Sequence, residues 1–523
     1  MTLNKIKALY ANELIKIIHR PSVIVVATVT FLLSIMFPFL LRIVYGDALD
    51  TTITPYTKEE VETDLNSRKV ELRSANMKTT KETVEIEVNG QTKSYEMVMY
   101  TGNDIPSLMS NINCLEDVLG NYDFDKYPLR STWLAINAYQ MYRSSEEKLI
   151  YLQTTAFEER DSEWLKEYEN ITTANGYFRK ALMEHDYETY CKGLEIFGAR
   201  SSYYNERETP EIVRQLAASD PKGELGWIDA SYLMSYLHEK QSDKETLDSG
   251  LEASGSTPRI LSEERRVILQ NDIKILDYKF EKRSAYNEAS SIALEVNYIT
   301  GQVTQYCLLI LIILIAGSAI SQELATGSIK SLIIAPVRRW KIYTAKLLSI
   351  ITWMILASVL VSLLSVIGTG FAFGFNNLPP YLFVSGGSVT EMSYPFAKIL
   401  FDLVNNISPF FYAFVAFMLS CYTKNTGVSV GVAVGMLLCH QIPTILAESE
   451  MPPRILDFTP VANMELSGKF FPYIAQMVVD SEFSLFGASP FSLPLWFSIT
   501  YIIVLTFTVL FIAFEEFTKK DIS

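Results

Sequence analysis

Between two hydrophobic runs the chain carries Gln322–Lys346, QELATGSIKSLIIAPVRRWKIYTAK. Five bases fall in it: Lys330, Arg338, Arg339, Lys341 and Lys346. Ile329, Leu332 and Ile333 lie three or four residues apart and form one apolar stripe on a helix. The pattern predicts an amphipathic helix of about three turns, stopped near Pro336. The chemistry such a segment offers is docking. A short amphipathic helix at the mouth of a membrane bundle is placed to receive a push from a soluble partner.

Residue patterns for catalysis are missing elsewhere. His19, His185, His238 and His440 are scattered, with no HExxH spacing and no Cys/His cluster for zinc. There is no GxSxG elbow and no GxxxxGK[ST] loop, so the chain does not cradle ATP phosphates by the P-loop route. Acid pairs such as Glu158/Glu159 and Glu263/Glu264 sit in charge-rich stretches and read as solvated faces. The basic residues form no nucleic-acid stripe. Polar groups inside apolar runs are costly and point to function or to interhelical bonding. Asn405, Asn406 and His440 are the candidates for a substrate path. Gly427, Gly431 and Gly435 form a GxxxGxxxG ridge that lets another backbone come close, in this chain or in a second copy.

These residues need a bundle to position them. The chain has 523 residues, 49% hydrophobic, with a mean hydropathy of +0.15. Residues 46–300 hold 46 acids against 29 bases, a net −17, while the remainder is net +3. An acidic block is thus inserted into a slightly basic membrane protein. A membrane helix needs roughly 20 apolar residues. Six runs qualify: Ser22–Leu41, Val303–Ser321, Ile342–Phe373, Val404–Tyr422, Gly427–Ala447 and Leu493–Phe514. The first reads as a retained anchor and not as a signal peptide, because it is too long for an h-region and no small-residue cleavage site ends it. Met1–Arg20 before it has Ile6, Leu9, Tyr10, Leu14, Ile17 and Ile18 at helical spacing. With the amino terminus inside, short inner segments carry twelve Lys/Arg; outer ones carry four, Arg42, Lys398, Arg454 and Lys469. The bias places both termini in the cytoplasm and residues 46–300 outside.

The acidic block is long enough for its own core. Glu59–Met77, Ser131–Leu152, Glu163–His185 and Glu224–Lys240 read as helices, and Ile260–Ile299 as a stalk running into the second span. Glu82–Val88 and Thr92–Met99 alternate around Asn89-Gly90, which predicts a hairpin. Cys114 and Cys191 are either a disulfide or two buried thiols. The expectation is an all-α membrane protein with six transmembrane helices and a mainly helical extracellular domain containing a small β-hairpin. Its abundance of Tyr and acid fits a vestibule for cationic amphipathic molecules, or a solvated acidic surface over a Tyr-containing core.

At this point the chain resembles the permease subunits of type-2 ATP-binding-cassette exporters. Asn12–Pro21, NELIKIIHRP, is similar to their amphipathic helix before the first span, with Glu13, Lys16 and Arg20 in place. Glu323, Gly327, Leu332/Ile333, Pro336, Arg338/Arg339 and Lys346 resemble their most recognisable signature. The likeness covers residues 1–45 and 301–523, including an outer segment 448–490 that would hold short helices. The insertion at 46–300 is like that of Gram-positive exporters with a large domain between the first two spans. The resemblance implies a bacterial plasma-membrane protein with a coupling helix at 323–335 docking on a separate ATPase. Ile329, Leu332 and Ile333 would be contacts there, Arg338 and Arg339 would meet acidic surface or headgroups, and Glu323 would suit the helix start. It also implies two permease chains, as a homodimer or heterodimer, with ATP and Mg bound by the ATPases and no cofactor on this chain. Export of a hydrophobic or amphipathic substrate (peptide, antimicrobial or lipid-like) is the leading function. The alternative is a sensor or resistance module that binds an extracellular antimicrobial and signals or removes it. A membrane enzyme lacks a nucleophile–base motif to support it.

Overall fold

The computed structural model describes residues 2–49, 56–75, 77–88, 91–102, 104–127, 129–197, 209–252, 259–282, 288–327, 338–423, 425–439, 458–464, 466–472 and 493–519. The chain forms two compact units, described separately below. The first comprises Met1–Leu49, Thr246–Ile275 and Ala289–Ser523; the second comprises Asp50–Glu245 and Leu276–Glu288. The stretch 46–300 is therefore divided between them.

The first unit opens with α1 (Thr2–Ile18) and α2 (Pro21–Leu49). Pro21 stands at the first position of α2, where its missing N–H costs nothing. Then come β3 (Leu251–Glu252), β4 (Arg259–Ile260), α11 (Glu288–Ser318), the one-turn α12 (Ser321–Ala325) and α13 (Arg339–Phe373). The hairpin β5 (Tyr381–Ser385) and β6 (Ser388–Met392) precedes α14 (Tyr394–Asn405), α15 (Ile407–Tyr422) and α16 (Thr426–Leu438). The short α17 (Pro460–Met464) and α18 (Ser467–Phe470) lie within 448–490, and α19 (Leu495–Lys519) closes the chain.

Among the described residues, four helices are long and apolar enough to cross a membrane: Pro21–Val44, Ala289–Gly317, Arg339–Phe373 and Leu495–Lys519. The pair α14–α15, bent by 43°, passes the same test only when its two helices are counted together, as a broken span or a re-entrant loop. The expected single span from Val404 instead starts at Tyr394 and breaks at Asn406. Pro409 supplies the reason, since its ring clashes with the carbonyl four residues back, that of Asn405. The expected span at Gly427–Ala447 is described only through Cys439.

Helix ends gather at one end of this bundle. Arg20 Nη1 donates to Ser318 Oγ at 2.5 Å, and Lys346 Nζ to the Ala319 carbonyl at 3.1 Å. Ser321 and Thr426 share a 2.9 Å hydroxyl bond, and Arg339 Nη1 donates to the Thr518 carbonyl at 3.4 Å. Thus the α1–α2 junction, the end of α11, the starts of α13 and α16, and the end of α19 meet. The apolar interior beneath them includes Ile312, Ile315, Ile350, Met354 and Phe417. At Gly368 a Cβ would lie 2.6 Å from the Ile35 carbonyl oxygen, so α2 and α13 pack closely only because that residue lacks one.

The second unit contains α3 (Lys58–Ser74), β1 (Lys78–Val88), β2 (Gln91–Thr101), α4 (Ile105–Asn121), α5 (Trp133–Gln153), α6 (Ser162–Glu184), α7 (Tyr187–Phe197) and α8 (Pro210–Ser219). Helices α9 (Trp227–Ser249) and α10 (Glu263–Glu281) run across the division of the chain. A capping box, Thr57 with Glu60, starts α3. The hairpin pairs Lys78–Val88 with Gln91–Thr101, longer than the alternation alone predicts; its Asn89-Gly90 turn lies outside the described residues. Val84, Ile86, Tyr95, Met97 and Met99 share its inner face and pack with Leu149, Phe157 and Trp164. Cys114 and Cys191 are buried free thiols, and burial pushes both up, Cys191 to about 12. The stalk expected over Ile260–Ile299 is two helices: α10 ends at Glu281, and α11 continues from Glu288 to Ser318.

Candidate functional site

Helix α1 buries a face that is only partly apolar. Ile17 is 4% exposed, and so is Glu13, while Ile15 is 57% exposed. Glu13, Lys16, Ile17 and Arg20 recur three or four residues apart, which puts them on one side. On that side stand α12, carrying Glu323, and the third turn of α13, carrying Lys346. Lys346 Nζ lies 2.8 Å from Glu13 Oε2 and 2.9 Å from Glu323 Oε1. Lys16 Nζ lies 2.9 Å from Glu13 Oε1 and 3.2 Å from Glu323 Oε1. Two carboxylates thus interlock with two ammonium groups, and Lys346 is 1% exposed.

The charges sustain one another. Burial raises the Glu13 carboxyl, but Lys346 and Lys16 outweigh it and hold it below its ordinary value. Burial lowers the Lys16 ammonium, but Glu13 and Glu323 more than reverse this. The Arg20 guanidinium stays depressed by burial against the pull of the same two acids. Glu323 Oε2 is buried and has no hydrogen-bond partner among the described residues. Buried pairs of this sort add little stability against an apolar substitute, yet removing one partner is costly. What the cluster provides is specific registry between α1, α12 and α13.

The sequence-predicted residues divide around this cluster. Glu323 belongs to it: it stands in the first turn of α12 and is 7% exposed. The helix that carries it ends at Ala325, with Thr326 as its cap and Gly327 at φ +70°. Glycine in the left-handed region ends this first turn, and the rest of the segment expected as a helix over 323–335 lies outside the described residues. Ile329, Leu332, Ile333 and Pro336 lie outside the described residues. Arg338 is exposed at the N-cap of α13, and Arg339 is half-buried against α19.

A second polar group occupies the bundle around the α14–α15 break. Asn405 Nδ2 donates to Gln305 Oε1 at 3.3 Å, and Asn406 Nδ2 to Ser358 Oγ at 3.3 Å. Beside them Lys398 Nζ lies 2.5 Å from Asp402 Oδ1, and Ser362 Oγ donates to Asp402 Oδ2 at 2.6 Å. A small cavity touches Gly301, Gln305, Ser358, Asp402, Asn405 and Asn406. His440 lies outside the described residues. Lys398, read above as an outer-loop base, is instead 2% exposed inside a helix. Its i,i+4 spacing to Asp402 was the available signal. Of the glycine ridge, expected to meet a backbone in this chain or in a second copy, only the surroundings within the described residues are seen. A Cβ at Gly431 or Gly435 would meet nothing within 4 Å, and α16 turns Ser429, Val430 and Ala433 inward instead.

Among the described residues no group of three His, Cys, Asp or Glu could hold a metal ion. The arrangement is one of interlocked helices with polar joints. A family model described as ABC-2 family transporter protein matches residues 8–522. No curated protein and no solved structure matches the chain. The family match spans α1, both charged groups and the last helix, and such membrane components work with a partner ATPase. The chain belongs to the ABC-2 family of transporter proteins and is a membrane permease component of an ATP-binding-cassette transporter.

Proposed function

We propose that this chain is the permease subunit of an ATP-driven exporter and passes the motion of a separate ATPase into its helices through the Glu13–Lys346–Glu323–Lys16 cluster. The observation that carries the reading is that cluster, which joins α1, α12 and α13 at the root of segment 328–337. The segment 323–335 docks on the ATPase through Ile329, Leu332 and Ile333, with Arg338 and Arg339 against acidic surface or headgroups. Both termini are cytoplasmic and residues 46–300 lie outside, in keeping with the Lys/Arg bias. Six spans form if Gly427–Ala447 completes a crossing. Two permease chains and two ATPases make the working unit, and Mg and ATP sit on the ATPases. Asn405, Asn406 and His440 border the path of a hydrophobic or amphipathic substrate. ATP drives the cycle only by binding the two states with different affinity.

The test is affinity capture of the full chain from native membrane in mild detergent. Wild type should bring down a P-loop ATPase in stoichiometric amount. Leu332→Asp combined with Ile333→Asp should insert normally and lose it. Undiminished ATPase capture by that double variant would sink the assignment.

A further inference from the structure

The second unit holds a cleft of about 260 Å³ beside β2 and α6 that the transport reading does not use. Tyr95, Trp164 and Tyr168 line it, together with Glu96, Arg160 and Glu169. Trp164 and Tyr168 stack face to face at 5.1 Å with their planes 9° apart, and both rings belong to the lining. Arg160 is 4% exposed, whereas Glu96 and Glu169 are exposed. The cleft is therefore cationic where it is buried and anionic where it meets solvent.

Among the described residues Arg160 is held without a counter-ion. Its Nε and Nη2 donate to the carbonyls of Thr155, Val98 and Gln153 at 2.9–3.2 Å. Its guanidinium covers the rings of Phe157 and Trp164 at 4.6 and 4.8 Å. Its Nη1 is buried with no hydrogen-bond partner, and no carboxylate pairs with it among the described residues. Carbonyl dipoles and ring faces relieve part of the cost of burying the charge. A buried charge is ordinarily paired, and an orphaned buried donor calls for a partner.

We propose that this cleft binds an amino-acid zwitterion with an aromatic side chain. The carboxylate goes to the buried end beside Arg160, the ammonium to the outer end beside Glu96 and Glu169, and the ring against the Trp164–Tyr168 pair. The buried Arg160 then gains the carboxylate it lacks among the described residues, and the ammonium sits where the exposed Glu96 and Glu169 make the rim negative. A plain anion would meet that negative rim, and a plain cation would leave Arg160 without a partner. The assignment concerns the second unit alone and stands or falls apart from the permease reading.

The experiment uses the full chain in nanodiscs and titrates three probes by calorimetry: L-phenylalanine, N-acetyl-L-phenylalanine and L-phenylalaninamide. Phenylalanine should bind saturably at one site. Loss of either charge should weaken binding at least about tenfold, the size of one charge-assisted hydrogen bond. Arg160 also braces three carbonyls, so the variant chosen is Glu96→Gln with Glu169→Gln, both at exposed positions. In that variant phenylalanine should fall to the level of its N-acetyl form, which should bind as it does to wild type. Absent saturable binding, equal affinity for all three probes, or unchanged discrimination in the double variant would each overturn the proposal.

Discussion

Glu13, Lys16, Glu323 and Lys346 come from three elements, with 333 positions separating Glu13 from Lys346, whereas Lys398 and Asp402 stand one turn apart on α14. In the first group Glu13 and Lys16 pair within α1, but Glu323 of α12 and Lys346 of α13 find opposite charges only when the three elements are together. The second carries its balance within one helix and reaches its neighbours through neutral groups, Ser362 and the Asn405–Gln305 amide pair. A cluster of the first kind reports the relative position of helices, because separating them leaves charges bare. A pair of the second kind travels with its helix. The contrast teaches that equal burial of charge does not mean equal sensitivity to motion.

Removing the central ammonium should break the comparison most sharply. Lys346→Met leaves Glu13 and Glu323 facing each other with only Lys16 between them. It should cost about 3–5 kcal/mol, the cost of leaving a buried charge unpaired. Thermal unfolding of the detergent-solubilised chain measures it. Adding Glu13→Gln and Glu323→Gln should restore most of the loss, and failure to restore it would show that packing, not charge, is at stake.

Next in size is Lys398→Met. The Asp402 side chain keeps 17% exposure, so the expected loss is smaller, about 2–3 kcal/mol. Because the pair is local, Lys398→Met with Asp402→Asn should return the chain close to wild type. If that double variant stays as unstable as the single one, the pair is anchoring other helices and the contrast fails.

The smallest effect belongs to Lys16→Ala. Its side chain is 37% exposed, so water takes over much of its role and the loss should be about 0.5–1 kcal/mol. A loss as large as that of Lys346→Met would make the four charges one indivisible unit. Capture of the ATPase by this variant, read beside its stability, separates a docking role from a structural one.

Much of the architecture was legible because it is written in local periodicity. Long apolar runs gave α2, α11, α13 and α19. The alternation on either side of Asn89-Gly90 gave the first hairpin. The break at Asn406 was also within reach, since Pro409 carries its own steric argument. The short β5–β6 hairpin was not, because five-residue strands carry too little alternation to separate from a loop. The charged site was half visible. Spacing puts Glu13, Lys16, Ile17 and Arg20 on one face of α1, but an apolar stripe and a charged one overlap there. Nothing local says which of them is buried.

By itself the sequence determined the membrane character, the inserted acidic block, the lack of a P-loop and the family resemblance, because hydropathy, charge and motif spacing are properties of neighbouring residues. Only the tertiary structure decided that Glu323 and Lys346 face inward, that Lys398 is buried and that no carboxylate among the described residues pairs with Arg160. Each of those outcomes depends on which distant helix or strand supplies or withholds an opposite charge. Burial of an ionisable group is settled by that balance and not by the residue's own type.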